Sequence, residues 1–176
     1  DRRHAVDQSE AMLVRESDGL MLLLTPPFAR GARDPGYIKA YPEGIRENGG
    51  QYTHAALWTV QALARLGEGD RAMHLLSLIN PIHHARDAAT MARYRVEPYV
   101  VAADVYGAHE HVGRGGWTWY TGSASWMYRI IIEDLLGLSR RGDVITIAPC
   151  VPRAWPRFEI DYRVEGGTLH IVVENP

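Results

Sequence analysis

The sequence predicts a mainly α-helical chain that closes on a small antiparallel β layer. Three observations carry this expectation: apolar residues recur at helical spacing in most segments up to Ser139, turn signals separate those segments, and period-two alternation takes over afterwards. With 176 residues, 46% of them hydrophobic, there is material for one ordinary core and too little for two large domains. The expected division is residues 1–139 for the helical part and 140–176 for the β segment.

Residues 4–16 set Ala5, Val6, Ala11, Met12, Leu13 and Val14 among charges and read as an amphipathic helix, ended by the turn signal Ser17-Asp18-Gly19. From Thr25 to Gly50, Pro26, Pro27, Pro35, Pro42 and interspersed glycines break any period and predict a long loop, a feature that is uncommon in compact domains and often functional. A helix over Gln51–Leu66, with Ala55, Trp58, Ala62 and Leu66 on one side, stops at Gly67-Glu68-Gly69-Asp70. Arg71–Ile79 returns antiparallel to it and is closed by Asn80-Pro81, giving the helix hairpin from which all-helical barrels and bundles are built. Further helices are expected over His83–Tyr94 and Pro98–Tyr106. After the glycine-rich loop Gly113–Gly116, a helix from about Ser123 to Leu138 carries Ile130, Ile131, Ile132, Leu135 and Leu136, apolar nearly all round as in a buried helix. Val144–Ile147, Phe158–Val164 and Thr168–Val173 alternate as strands, and Gly166-Gly167 marks a hairpin between the last two.

The formal net charge is -2 and the basic residues are scattered, so the electrostatic footprint of a nucleic-acid binder is missing. The single cysteine, Cys150, cannot form an internal disulfide and suits a reducing compartment, which makes the cytoplasm the expected location. The apolar stretch Leu20–Leu24 falls far short of the roughly 20 residues of a membrane span. The opening DRRHAVDQSE reads as the middle of a helix, and the chain is therefore expected to be a piece of something longer.

Two clusters of residues point to chemistry. YPEGIRENGGQYTH, Tyr41–His54, gathers carboxylates, an arginine, an amide, aromatics and a histidine where the long loop meets a helix, a mixture suited to a polyol or an anion. Asn48-Gly49-Gly50 is expected to let the backbone approach a ligand, and His54 falls in the first turn of the helix. A surface turn with a helix cap accounts equally for this composition. The second cluster, Gly113–Trp126, interleaves Trp117, Trp119, Tyr120 and Trp126 with Thr121, Gly122 and Ser123. Sugar rings pack apolar faces on indoles and need fixed donors and acceptors at their edges, so this is the composition of a glycan pocket, although Trp126 at helical spacing from Ile130 reads more simply as core. Neither metal nor cofactor is expected. Adjacent His83 and His84 point apart on a helix, His109-Glu110-His111 has no Cys or carboxylate placed to complete a ligand set, and the Gly113–Gly116 loop follows no strand.

Together with EPYV at Glu97–Val100, WYTGSASWMYR at Trp119–Arg129 and the closing APCVPRAWPRFEIDYR, the Tyr41–His54 block resembles the last part of the glycoside hydrolase family 94 phosphorylases, which include cellobiose and chitobiose phosphorylases. The likeness covers nearly the whole chain. GGWTWYTGSASWMYR, with AADVYGAHEH before it, is most similar to the phosphorylase-like domain that ends cyclic beta-1,2-glucan synthases. The resemblance implies the carboxy-terminal portion of an (alpha/alpha)6 barrel followed by a small β layer. It also implies inverting phosphorolysis: a carboxylic acid protonates the glycosidic oxygen while inorganic phosphate attacks the anomeric carbon from the opposite face, an anion cradle replacing the carboxylate that would activate water.

Carried over position by position, the resemblance assigns phosphate to His54, Thr121 and Gly122, and the acceptor sugar to Tyr41, Arg46 and Glu47; Trp117 and Trp119 are the expected sugar walls. Expected partners are a beta-linked glucan oligosaccharide, inorganic phosphate or glucose 1-phosphate as co-substrate, the remainder of the parent barrel, and a second copy of the chain. A cyclic glucan synthase parent would be an inner-membrane protein with this part facing the cytoplasm. Two departures bear on activity. Where disaccharide phosphorylases often place a phosphate-contacting glutamine after EPYV, this chain has Ala102, Ala103 and Asp104. The family's general acid is an aspartate upstream of these blocks, and Asp34 is too close to the ENGG block to replace it, so the isolated chain is expected to be inactive. A hydrolase using Glu47, or a non-catalytic carbohydrate-binding or scaffold module, is the alternative expectation.

Overall fold

The computed structural model of the chain describes residues 1–29 and 34–175; the part of the expected long loop at 30–33, and residue 176 of the β segment, lie outside the described residues. Helix α1 (Arg2–Leu13) starts at Asp1, whose carboxylate accepts the Arg3 amide. It ends before the expected residue 16, because Val14 and Arg15 pair as a short strand, β1 (Val14–Arg15), with β2 (Leu20–Met21) across the turn at Glu16–Gly19.

The expected helix hairpin is present as α2 (Thr53–Arg65) and α3 (Gly69–Ile79). Its buried face differs from the stripe read in the sequence. Ala56, Leu57, Val60, Leu63 and Ala64 of α2 face inward, whereas Trp58 is 54% exposed. Both stripes have helical spacing. The Leu57–Val60–Leu63 side meets the buried core: Leu75, Leu76 and Ile79 on α3, with Met127, Ile130 and Leu135 beyond. Each leucine fully buried here contributes about 1.5–3 kcal/mol.

The helix expected over His83–Tyr94 is two short ones, α4 (Pro81–His84) and α5 (Ala88–Tyr94). Local hydrogen bonds break it: Asn80 caps α4 through the Ile82 amide, and Asp87 and Thr90 form a reciprocal capping box at the start of α5. Pro98–Tyr106 is not helical. After a turn it enters β4 (Asp104–Val105), which pairs antiparallel with β3 (Gln51–Tyr52), a pairing that suits the β-branched Val105.

Helix α6 (Ser123–Arg129) continues as a π-helical segment, Ile130–Leu135, in which the Leu136 amide reaches back five residues to the Ile131 carbonyl at 2.8 Å. It is buried on one side only, through Ser123, Met127, Ile130 and Leu135, while Tyr128 is 70% exposed. Leu138 already belongs to the next strand, β5 (Leu138–Arg141), which pairs with β6 (Val144–Ile147); β7 (Arg157–Val164) pairs with β8 (Gly167–Glu174). The expected single terminal sheet is therefore two separate hairpins. The architecture is mainly helical with small antiparallel pairs, and among the described residues no helix is long and apolar enough to cross a membrane.

Candidate functional site

The loop before α2 is locked by buried polar contacts. Asn48, fully buried, accepts the Phe28 amide at 2.7 Å and donates to the carbonyls of Phe28 and Tyr41 at 3.1 and 2.9 Å. Gln51, also fully buried, accepts the Met21 amide and donates to Thr53 at the start of α2. Asn48-Gly49-Gly50 therefore closes the loop. A side chain at Gly49 would meet Pro27 at 2.9 Å, and one at Gly50 would meet the Arg46 backbone at 3.0 Å, so protein fills the space expected to receive a ligand.

This closure presents Arg46, which has positive φ, between two rings: its guanidinium carbon lies 5.5 Å from the Tyr41 ring centroid and 5.9 Å from that of Trp117. Its Nε is 3.5 Å from Glu47 Oε2, within ion-pair range, yet neither atom makes a hydrogen bond. Burial opposes the Arg46 charge, but Asp104, Glu47 and Tyr41 outweigh it and raise the guanidinium pKa. Tyr41, Arg46, Glu47 and Trp117 are thus brought together. Trp119 stands apart, its indole N–H donating to Glu97 at 3.1 Å.

Asp104 is the residue that sequence reasoning left without a role. It is 1% exposed on β4, opposite Tyr52, and accepts the Trp117 amide through Oδ1 at 3.0 Å, while Oδ2 has no partner. Burial raises its pKa, against the pull of the Trp117 amide and Arg46. A lone carboxylate inside the apolar run Val100–Val105 was the available signal, since a buried charge requires a partner.

His54, in the first turn of α2, lies edge-on to Trp58 at 4.9 Å and tilted against Trp126 at 5.3 Å; its Nε2 is buried and unpartnered. Trp126, partly buried as expected for core, also forms one wall of this imidazole niche. It sits on α6, whose cap is Gly122 and whose first amide, that of Ser123, donates to Thr121 Oγ1 at 3.0 Å. The Thr121 hydroxyl in turn donates to Ser123 Oγ at 2.8 Å. His54 is thus in contact with the helix that Thr121 and Gly122 begin. The two clusters meet through backbone: Thr53 donates to Ala103, and Ala103 donates to Trp117. Ala102 and Ala103, near the position of the glutamine in relatives, are both buried.

Four of the five buried side-chain polar atoms without a hydrogen bond among the described residues are Arg46 Nε, Glu47 Oε2, His54 Nε2 and Asp104 Oδ2, the first two forming the ion pair described above. A buried donor or acceptor without a hydrogen bond costs about 1–3 kcal/mol, which makes these four residues the candidates for contact with a ligand. The chain belongs to the glycosyl hydrolase 94 superfamily, whose catalytic-domain model matches residues 1–137. It is 50% identical over 169 residues to the cyclic beta-(1,2)-glucan synthase NdvB of Rhizobium meliloti (strain 1021), covering 96% of this chain and 6% of the relative. It is 35% identical over 155 residues to the N,N'-diacetylchitobiose phosphorylase of Vibrio furnissii, covering 88% and 19%, and 25% identical over 174 residues to the 1,2-beta-oligoglucan phosphorylase of Listeria innocua, covering 90% and 16%. The chain spans one fifth or less of the length of these relatives.

Proposed function

We propose that this chain forms the phosphate and acceptor-sugar half of an inverting beta-glucan phosphorylase site, at the end of a cyclic beta-1,2-glucan synthase. The observation that supports this most is the set of buried polar atoms without hydrogen bonds on Arg46, Glu47, His54 and Asp104, with Arg46 over the Trp117 ring. Arg46 and Glu47 offer one donor and one acceptor to neighbouring hydroxyls of the acceptor sugar, Tyr41 completes its edge, and the indole of Trp117 covers an apolar face. His54 donates through Nε2 to inorganic phosphate, with Thr121 and Gly122 supplying the opposite side of the cradle. Phosphate held there attacks the anomeric carbon while a carboxylic acid on the other face protonates the leaving oxygen. The proposal assigns that acid to another part of the parent protein, so this chain binds its ligands without turning them over. No cofactor is needed, phosphate being a co-substrate, and the proposed parent is an inner-membrane protein with this part on the cytoplasmic side.

Tryptophan fluorescence of the chain, titrated with a sophorose-type oligosaccharide with and without inorganic phosphate, tests the reading. Saturable quenching that tightens when phosphate is present is expected. Sugar binding indifferent to phosphate would support a carbohydrate-binding module instead, and phosphate release or consumption by the chain with beta-1,2-glucan or glucose 1-phosphate would contradict the assignment of the acid.

A further inference from the structure

Asp104 is tied to the Trp117 loop by hydrogen bonds and to Arg46 by charge, without being exposed to a ligand. Its Oδ1 takes the Trp117 amide at 3.0 Å, and its own carbonyl takes the Gly116 amide at 2.8 Å, so two successive residues of the Trp117 loop are fastened to one strand position. The fit is close: a Cβ at Gly116 would lie 2.5 Å from Oδ2 and 2.6 Å from Oδ1, so only glycine lets the loop descend onto the carboxylate. The same carboxylate acts electrostatically on Arg46, whose guanidinium lies over the Trp117 ring. A carboxylate that is 1% exposed, with one oxygen unpartnered, costs several kcal/mol unless a nearby cation compensates it, and Arg46 is the cation acting on it here.

We infer that Asp104 is a positioning residue for the acceptor-sugar subsite, seating the Trp117 wall through its amide and holding the Arg46 guanidinium beneath it by charge. This rests on the reading that Arg46 and Trp117 receive the sugar. Asp104 itself does not touch the ligand. Removal of its charge frees Arg46 to swing away from the ring, and sugar affinity falls while the His54 niche, built on α2 and α6, is left intact.

The test is Asp104→Asn in the whole chain, because the amide oxygen still accepts the Trp117 N–H and the side-chain volume is retained. Affinity for the sophorose-type oligosaccharide is expected to weaken about tenfold, the scale of one charge-assisted contact, with affinity for inorganic phosphate unchanged. Gly116→Ala, which drives a methyl into the carboxylate without altering its charge, is expected to give the same selective loss. A wild-type chain that binds sugar, alongside two folded variants that bind it equally well, overturns the role of Asp104 and leaves the proposed function standing. Equal weakening toward sugar and phosphate also overturns it, by showing a general structural defect. A wild-type chain that binds no sugar removes the reading and the inference together.

Discussion

Gly44→Ala is expected to lower the stability of the chain by about 3 kcal/mol or more, or to prevent folding. Gly44 has φ +80°, a left-handed conformation that costs an alanine energy before any contact is counted. A Cβ there would collide with the Ala108 backbone nitrogen and lie 2.6 Å from its Cα, so the obstruction is main chain that no rotamer change relieves. The position is also a junction: the Gly44 amide donates to Asn48 and its carbonyl accepts from Gly107, each at 2.8 Å. Pushing these segments apart separates the Arg46 loop from the strand bearing Asp104. Urea unfolding followed by fluorescence should show a greatly lowered midpoint, and a midpoint equal to wild type would mean the loop is not fastened as described.

The second large effect concerns His84, whose ring stacks on Tyr94 with centroids 5.1 Å apart and planes inclined by 15°. Burial, reinforced by Arg93 and His83, lowers its pKa from 6.5 to about 4, against the pull of the Leu78 backbone. Between those values the unfolded chain takes up a proton that the folded chain refuses. Stability therefore rises with pH across this window, is complete above 6.5, and by pH 4 has lost about 3 kcal/mol. His84→Phe retains an aromatic partner for Tyr94 and cannot titrate. The difference between wild-type and variant unfolding free energies should slope with pH between 4 and 6.5 and be flat above. A constant difference throughout would show that His84 titrates as freely in the folded chain as in the unfolded one. Carboxylates elsewhere, and His170, whose pKa is raised by its hydrogen bond to Asp161, contribute equally to both proteins and cancel.

The helix hairpin and the terminal strands were legible in the sequence because each carries a long stretch of one period. What escaped was decided by contacts distant in sequence. Trp58 dominated the apparent face of α2, but the core lay where Leu57, Val60 and Leu63 meet α3 and the π segment. Pro98–Tyr106 has enough apolar residues for a short helix, and became a strand because Gln51-Tyr52 offered a free edge. At the site, the family resemblance assigned Tyr41, Arg46 and Glu47 to one subsite, and the structure gathers them with Trp117. Spacing could not show that Asn48 and Gln51 are internal staples. Nor could it assign Asp104, which is 57 residues from Glu47 in sequence and joins the cluster through the β3–β4 ladder and the Trp117 amide.

The account turns on one imidazole. Histidine-detected 15N NMR of the chain, with inorganic phosphate added alone, observes the His54 ring nitrogens directly. A saturable shift at His54 Nε2, accompanied by shifts of the Thr121 and Gly122 amides and absent from a His54→Gln variant, is the predicted result. Phosphate that saturates the chain while leaving those three signals in place would contradict the account.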